Sequence, residues 1–153
     1  MRWILHRGNM NGPGTCENKP SGIDIALQMG YDVEVDLWFK DNEYWLGHDM
    51  PEHRIESDFL QKPGLWIHCK NAETLEHMSS IYPKLHFFYH TTEDYILTSR
   101  GIIWSYVGKP PLRNSVIVMP ERVPGVYNYR IINDFNCLVC SDYLPNDLRK
   151  YLS

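Results

Sequence analysis

Short apolar runs, each closed by glycine, proline, asparagine or a charged group, recur along almost the whole chain. Runs of this length and composition read as β-strands, here over 2–6, 32–39, 65–70, 85–90, 101–106, 115–120 and 137–143. Between them lie helical patterns. One spans 22–30 and stops at Gly30, one follows Asn71 as its cap, a short one is expected over 91–99, and a terminal one begins at Pro145. The segment 40–47 reads as a hairpin turned at Asp41-Asn42. The segment 126–132 is ambiguous and is the place for an eighth strand. Strands that alternate with crossovers predict an α/β fold with a parallel sheet. At 153 residues in a single domain, 1–153, the expectation is a compact TIM-type (β/α) barrel with reduced helices and 7–8 mostly parallel strands.

Composition narrows the function. A hydrophobic content of 43% supports a real core, and a net charge of -4 argues against non-specific binding to nucleic acid or an anionic membrane. No apolar run reaches the ~18 residues of a membrane span. The apolar stretch at the start, MRWILHRGNMNGPG, is too short for a signal peptide. The cysteines at 16, 69, 137 and 140 are scattered, and the side chains of Cys137 and Cys140 fall on opposite faces of a strand, which argues against a zinc or redox pair. The resulting expectation is a reduced, cytoplasmic protein.

The polar residues gather at the carboxyl ends of the strands: His6 and Arg7, Glu34 and Asp36, His68 and Lys70, His90, and Asp142. Ligands of parallel α/β sheets bind at that end. In DVEVDLWF, Glu34 and Asp36 share one face while Val33, Val35 and Leu37 take the other. Two buried acids side by side repel and lose hydration unless a cation meets them. A divalent metal is one such cation, and a rim of Arg7, Lys70, His6 and His48 around it suits an anionic phosphoester. Single histidines at 53, 77 and 86 read as structural residues.

HRG at 6–8, EN at 17–18, the strand-borne E-V-D at 34–36 and GHD at 47–49 resemble, in order and spacing, the glycerophosphodiester phosphodiesterase family of the phospholipase C-like superfamily. The end of the chain, CLVCSDYLPNDLRKYL, is similar to the family's last strand and helix, and the middle matches weakly. The resemblance implies metal-dependent cleavage of a small phosphodiester, with His6 and His48 as general acid and base. It implies Glu34 and Asp36 as metal ligands, with Glu17 either orienting these groups or approaching the metal, and Arg7 and Lys70 on the phosphate. The family's E-x-K on the third strand is here HCK, so His68 stands where a third metal-ligand glutamate is expected. Either His68 ligates, or Glu34, Asp36, Glu17 and water hold the ion while His68 faces substrate. The implied cofactor is one divalent cation, Mg²⁺ or Ca²⁺, with Mn²⁺ brought in by an imidazole ligand.

His90 and Asp94 are candidates for a substrate wall, and Tyr106 and Glu121 are weaker ones. Trp38, Trp45, Trp104 and Tyr106 either frame an apolar leaving group or simply fill interfaces. The expected partner is a small-molecule phosphodiester. Stable membrane insertion is not expected, and a thin helical shell leaves a homodimer open. Rival readings are a sphingomyelinase D-like phosphoester lyase and an inactive phosphoester-binding barrel. A nucleotide-derived diester is a further substrate option.

Overall fold

Alternation along one strand sets the layering. Val33, Val35 and Leu37 are completely buried on one side of β2 (Asp32–Lys40), and Glu34 and Asp36 are buried on the other. The computed structural model describes residues 2–152. The chain runs β1 (Trp3–His6), α1 (Pro20–Gln28), β2, β3 (Glu43–Leu46), β4 (His53–Ile55), β5 (Leu65–Cys69), α2 (Ala72–Ile81) and β6 (Phe87–Phe88). It continues through β7 (Tyr95–Leu97), β8 (Ile103–Ser105), β9 (Val116–Val118), α3 (Tyr129–Asp134), β10 (Leu138–Ser141) and α4 (Pro145–Leu148).

All ten strands join one sheet. From β6 through β5, β2, β1, β10 and β9 to β8, every neighbour is parallel. Three pairings are antiparallel: β2 with β3, β3 with β4, and β7 with β8. The result is a curled, open mixed sheet, a half-barrel, and this corrects the expected TIM-type (β/α) barrel. Only four short α-helices cover the described chain, the longest of 10 residues. No ladder joins β6 to β8. Phe87 and Ser99 span that gap with two hydrogen bonds, Ser99 N–H to the Phe87 carbonyl at 2.8 Å and Phe87 N–H to Ser99 Oγ at 3.0 Å.

Two local expectations also change, and both alter the sheet. The helix expected over 91–99 is instead the antiparallel edge strand β7, whose Ile96 pairs with Trp104. A Tyr-Ile-Leu run beside an open edge gains more from a ladder than from one isolated helical turn. The eighth strand allowed within 126–132 is replaced by α3, begun where the Asn128 side chain accepts the Ile131 N–H at 2.9 Å. The hairpin forms at Asp41-Asn42, both in left-handed backbone conformation (φ 53° and 59°). Asn71 caps α2 by accepting the Thr74 N–H at 2.8 Å.

Register gives the sheet two faces. Leu5, Val33, Val35 and Ile67 lie on the convex side under Ile23 of α1 and Met78 of α2. Further along, Ile117 and Val139 lie under Ile132 and Leu148. On the concave side, Ile4, Trp66, Phe88, Trp104, Val118 and Cys140 make an apolar floor. Each such side chain contributes about 1.5–3 kcal/mol when fully buried. One step towards the carboxyl ends, the same concave face turns ionisable: His6 pairs in register with Glu34, and Asp36 with His68.

Candidate functional site

The site grows from that register. His6 ends β1, and its Nδ1 lies 2.6 Å from Asp142 Oδ1 just beyond β10. Its Nε2 stands 3.9 Å from Glu34 Oε2. Burial pulls the His6 pKa down, but the Asp142 hydrogen bond and the charges of Glu34 and Asp142 overcome this and hold it above the ordinary histidine value. Burial would raise Asp142, yet its bond to His6 brings it down to about 2. Asn9 fixes the same carboxylate by donating to Oδ1 at 2.8 Å, and Arg122 donates to Oδ2 at 3.2 Å. Glu121 Oε1 accepts the Asp142 N–H at 2.8 Å.

Arg7 adopts a left-handed backbone (φ 54°) immediately before Gly8. That strained geometry turns its own N–H onto Glu34 Oε2 at 3.2 Å, while the guanidinium reaches Glu17 Oε2 at 2.8 Å. Arg7 Nε is 3.0 Å from Asp36 Oδ2, but its N–H is buried with no aligned partner. Asp36 is crowded by nitrogen: Lys70 Nζ at 3.3 Å, His68 Nδ1 at 3.1 Å and the Asn18 amide donating at 2.9 Å. Burial favours the neutral acid, but these partners hold Asp36 well below the usual carboxylate range. Glu34 is nearly as buried and far less engaged, with His68 Nδ1 at 3.6 Å.

Burial lowers the pKa of His68, and the hydrogen bond to Asp36 with the neighbouring Glu34 carboxylate outweighs it, raising the group to about 9. The imidazole lies nearly parallel to the rings of Phe88 (centroids 5.0 Å apart) and His90 (4.7 Å), which also stack on each other at 6.0 Å. Burial and then the His68 charge bring His90 down to about 4. His48 follows the β3 hairpin, partly exposed, with Nδ1 2.7 Å from Asp49 Oδ1. Gly47 carries it there because any side chain at 47 would overlap the Met50 carbonyl, and Trp38 Nε1 donates to the Gly47 carbonyl at 2.7 Å.

A cavity of about 380 Å³ opens over this cluster. His6, Arg7, Glu34, His48, His68 and Lys70 line it. So do His90, Trp104, Tyr106 and Arg122. Seven of the nine residues singled out in the sequence therefore meet at one cavity; Asp36, buried against His68 and Lys70, and Glu17 are not among its lining residues. Glu17 is turned to Arg7 and also accepts from the Asn9 amide at 3.2 Å. Of the wall candidates, Asp94 pairs at the surface with Lys109, and Glu121 stands behind Asp142. Trp38 and Trp45 are not among the lining residues. His86 is buried against Trp66 and Thr98, His77 stacks on Phe39, and His53 stands 3.8 Å from Glu52.

Sequence reasoning noted Asp142 only as a polar strand end, and it missed Asn9 and Arg122. The aspartate two residues past a buried Val-Cys pair was the available signal; Asn9 and Arg122 carried none. One donor atom each from Glu34, Asp36 and His68 lie within 4.8 Å of one another. Two carboxylates and an imidazole on one buried face fit a divalent cation, with the imidazole favouring Mn²⁺ over Ca²⁺. No described helix is long and apolar enough to cross a membrane. Comparison with protein-family models, with curated proteins and with solved structures found no match to this chain.

Proposed function

We propose that the chain is a phosphodiester hydrolase acting on small glycerophosphodiester-like substrates by paired histidine acid-base catalysis. The observation that supports this most is that His6 and His48 line one cavity with Arg7 and Lys70 between strands that also bring Glu34 and Asp36 together. Arg7 and Lys70 grip the phosphate oxygens, and the unpartnered Arg7 Nε–H is a donor held ready for one of them. His6, whose proton is favoured by the hydrogen bond to Asp142, protonates the departing oxygen. His48, oriented through Nδ1 by Asp49, takes the proton of the attacking hydroxyl, which comes from the vicinal glycerol oxygen or from water. Glu34, Asp36 and His68 would hold a divalent cation, Mn²⁺ or Mg²⁺, whose charge offsets that of the phosphoryl oxygens. Glu17 acts from behind by fixing the guanidinium of Arg7.

One specific observation favours a second reading. Asp36 already meets Arg7, Lys70 and His68, so the buried charge is largely compensated within the protein, which also suits a phosphoester-binding module without turnover.

The experiment is hydrolysis of bis(p-nitrophenyl) phosphate and of glycerophosphodiesters, with Mn²⁺, Mg²⁺, Ca²⁺ or chelator, beside His6→Ala and His48→Ala. Each variant is expected to lose ~10²- to 10⁴-fold in turnover while still folding. Binding without turnover in the wild type supports the module instead.

A further inference from the structure

The cavity is lopsided in charge. Among the described residues that line it, Glu34 is the one carboxylate, against the permanent cations Arg7, Lys70 and Arg122. Arg7 and Lys70 end β1 and β5. Arg122 lies elsewhere: it follows β9, which is separated from β1 by β10, on the side of β1 away from β2 and β5. A left-handed Met119 (φ 47°) and Pro120 turn the chain there and carry Arg122 to the cavity. Its guanidinium is about half exposed (48%), and its one side-chain partner among the described residues is Asp142. Its remaining N–H groups are free to meet a ligand. The same cavity is lined by the buried ring of Trp104 on β8 and, just past the strand, the exposed ring of Tyr106, whose edge meets His90 at a centroid distance of 6.4 Å.

A phosphate held between Arg7 and Lys70 must send one of its two alcohols over this wall. We propose that Arg122, with Tyr106 and Trp104, forms a subsite for a hydroxylated or acidic substituent and disfavours an ammonium-bearing one. The inference rests on the phosphoester reading above and deepens it by naming the substituent class. The aromatic rings alone would suit a quaternary ammonium, because ring faces attract cations. A fixed guanidinium at the same wall opposes that choice, since like charges brought together in a partly dry cleft repel strongly. A sugar-like or glyceryl hydroxyl meets no such penalty: Arg122 donates to it, and its C–H edge lies on the rings.

Calorimetric binding of two phosphomonoesters tests this without requiring turnover. The probes are glycerol 3-phosphate and phosphocholine, which share the phosphate and differ in the substituent. The wild type is expected to bind glycerol 3-phosphate about tenfold tighter or better. Arg122→Gln should bring the two affinities within about twofold, and Arg122→Lys should keep most of the preference. Because the readout is a ratio, any loss transmitted through Asp142 and His6 cancels. Equal affinities in the wild type, a ratio unmoved by Arg122→Gln, or no binding of either probe overturns the proposal. Hydrolysis of bis(p-nitrophenyl) phosphate, followed in parallel, judges the phosphodiesterase reading by itself, since that substrate carries no ammonium group.

Discussion

Replacing Asp142 by Asn separates orientation of His6 from mere packing. The change is nearly isosteric, so the 2.6 Å contact to His6 and the Asn9 and Arg122 contacts keep their spacing. What disappears is one negative charge in a fully buried position, 1% exposed. A hydrogen bond to a charged group contributes about 1.5–3 kcal/mol, roughly twice a neutral one. The amide can also turn its NH₂ towards His6, which then holds its proton on the wrong nitrogen. If the lost interaction is felt when His6 gives up its proton and not when substrate binds, the same 1.5–3 kcal/mol lowers kcat by about 10- to 100-fold. KM should stay within about threefold, because the phosphate contacts proposed for Arg7 and Lys70 are untouched. Steady-state hydrolysis of bis(p-nitrophenyl) phosphate reads the two constants separately, and circular dichroism confirms the fold. A folded Asp142→Asn protein with wild-type kcat, or with its whole loss in KM, refutes the reasoning.

Two other outcomes follow from buried polar groups. Asn18 donates to Asp36 Oδ2 and accepts the Asp36 N–H at 3.0 Å from a left-handed position (φ 57°), so Asn18→Ala leaves the buried Asp36 N–H unpaired and should cost about 1–3 kcal/mol by urea unfolding. His86 is 5% exposed, and burial, then the charge of Arg100, brings its pKa from 6.5 down to about 4. The unfolded chain therefore binds its proton first as pH falls, and this group's stabilisation, complete above pH 6.5, drains away by up to about 3 kcal/mol towards pH 4. Urea unfolding across that range should show a shallower decline in His86→Gln, and equal slopes would contradict the assignment.

The sequence made the site more legible than the fold around it, and the reason lies in range. The facing of Glu34 and Asp36 opposite Val33, Val35 and Leu37 needs only the two-residue period of a strand. The turn at Asp41-Asn42 and the cap at Asn71 are equally local. Closure of the sheet is a different kind of fact. It depends on whether β6 finds β8 across the curl, and nothing in LHFFYH or GIIWSY says that β7 will pair with β8 instead. The Tyr-Ile-Leu of β7 suits either a short helix or an edge strand, and the free edge of β8 decides. Asp142 was visible only as a polar strand end, its pairing with His6 was not, and Arg122 was hidden altogether. Their partners lie 136 and 20 residues away, so neither contact has a local signature. Glu17, by contrast, was visible as part of an ordered motif, but its contact with Arg7 depends on the loop's path rather than on the motif.

The two acids of E-V-D are not equivalent, and this divides stability from chemistry. Asp36 touches Arg7, Lys70, His68 and Asn18, so its charge is built into the fold. Arg7 and Lys70 are themselves mostly buried, their side chains 14% and 13% exposed, and Asp36→Asn leaves them facing each other without the anion that holds them. Breaking a buried charge pair in this way costs about 3–5 kcal/mol, or a fall in Tm of about 10 °C for a chain of this size. Glu34 accepts a single hydrogen bond, from the Arg7 N–H, and its other neighbours stand 3.6 Å or more away. The amide of Glu34→Gln keeps that bond, so Tm should move by no more than about 3 °C. Activity should nonetheless fall at least as far in Glu34→Gln as in Asp36→Asn, because Glu34 is the carboxylate that lines the cavity. Thermal unfolding and hydrolysis measured on the same two variants decide it. If Glu34→Gln destabilises as much as Asp36→Asn, or leaves turnover intact, the division of labour drawn from these distances is wrong.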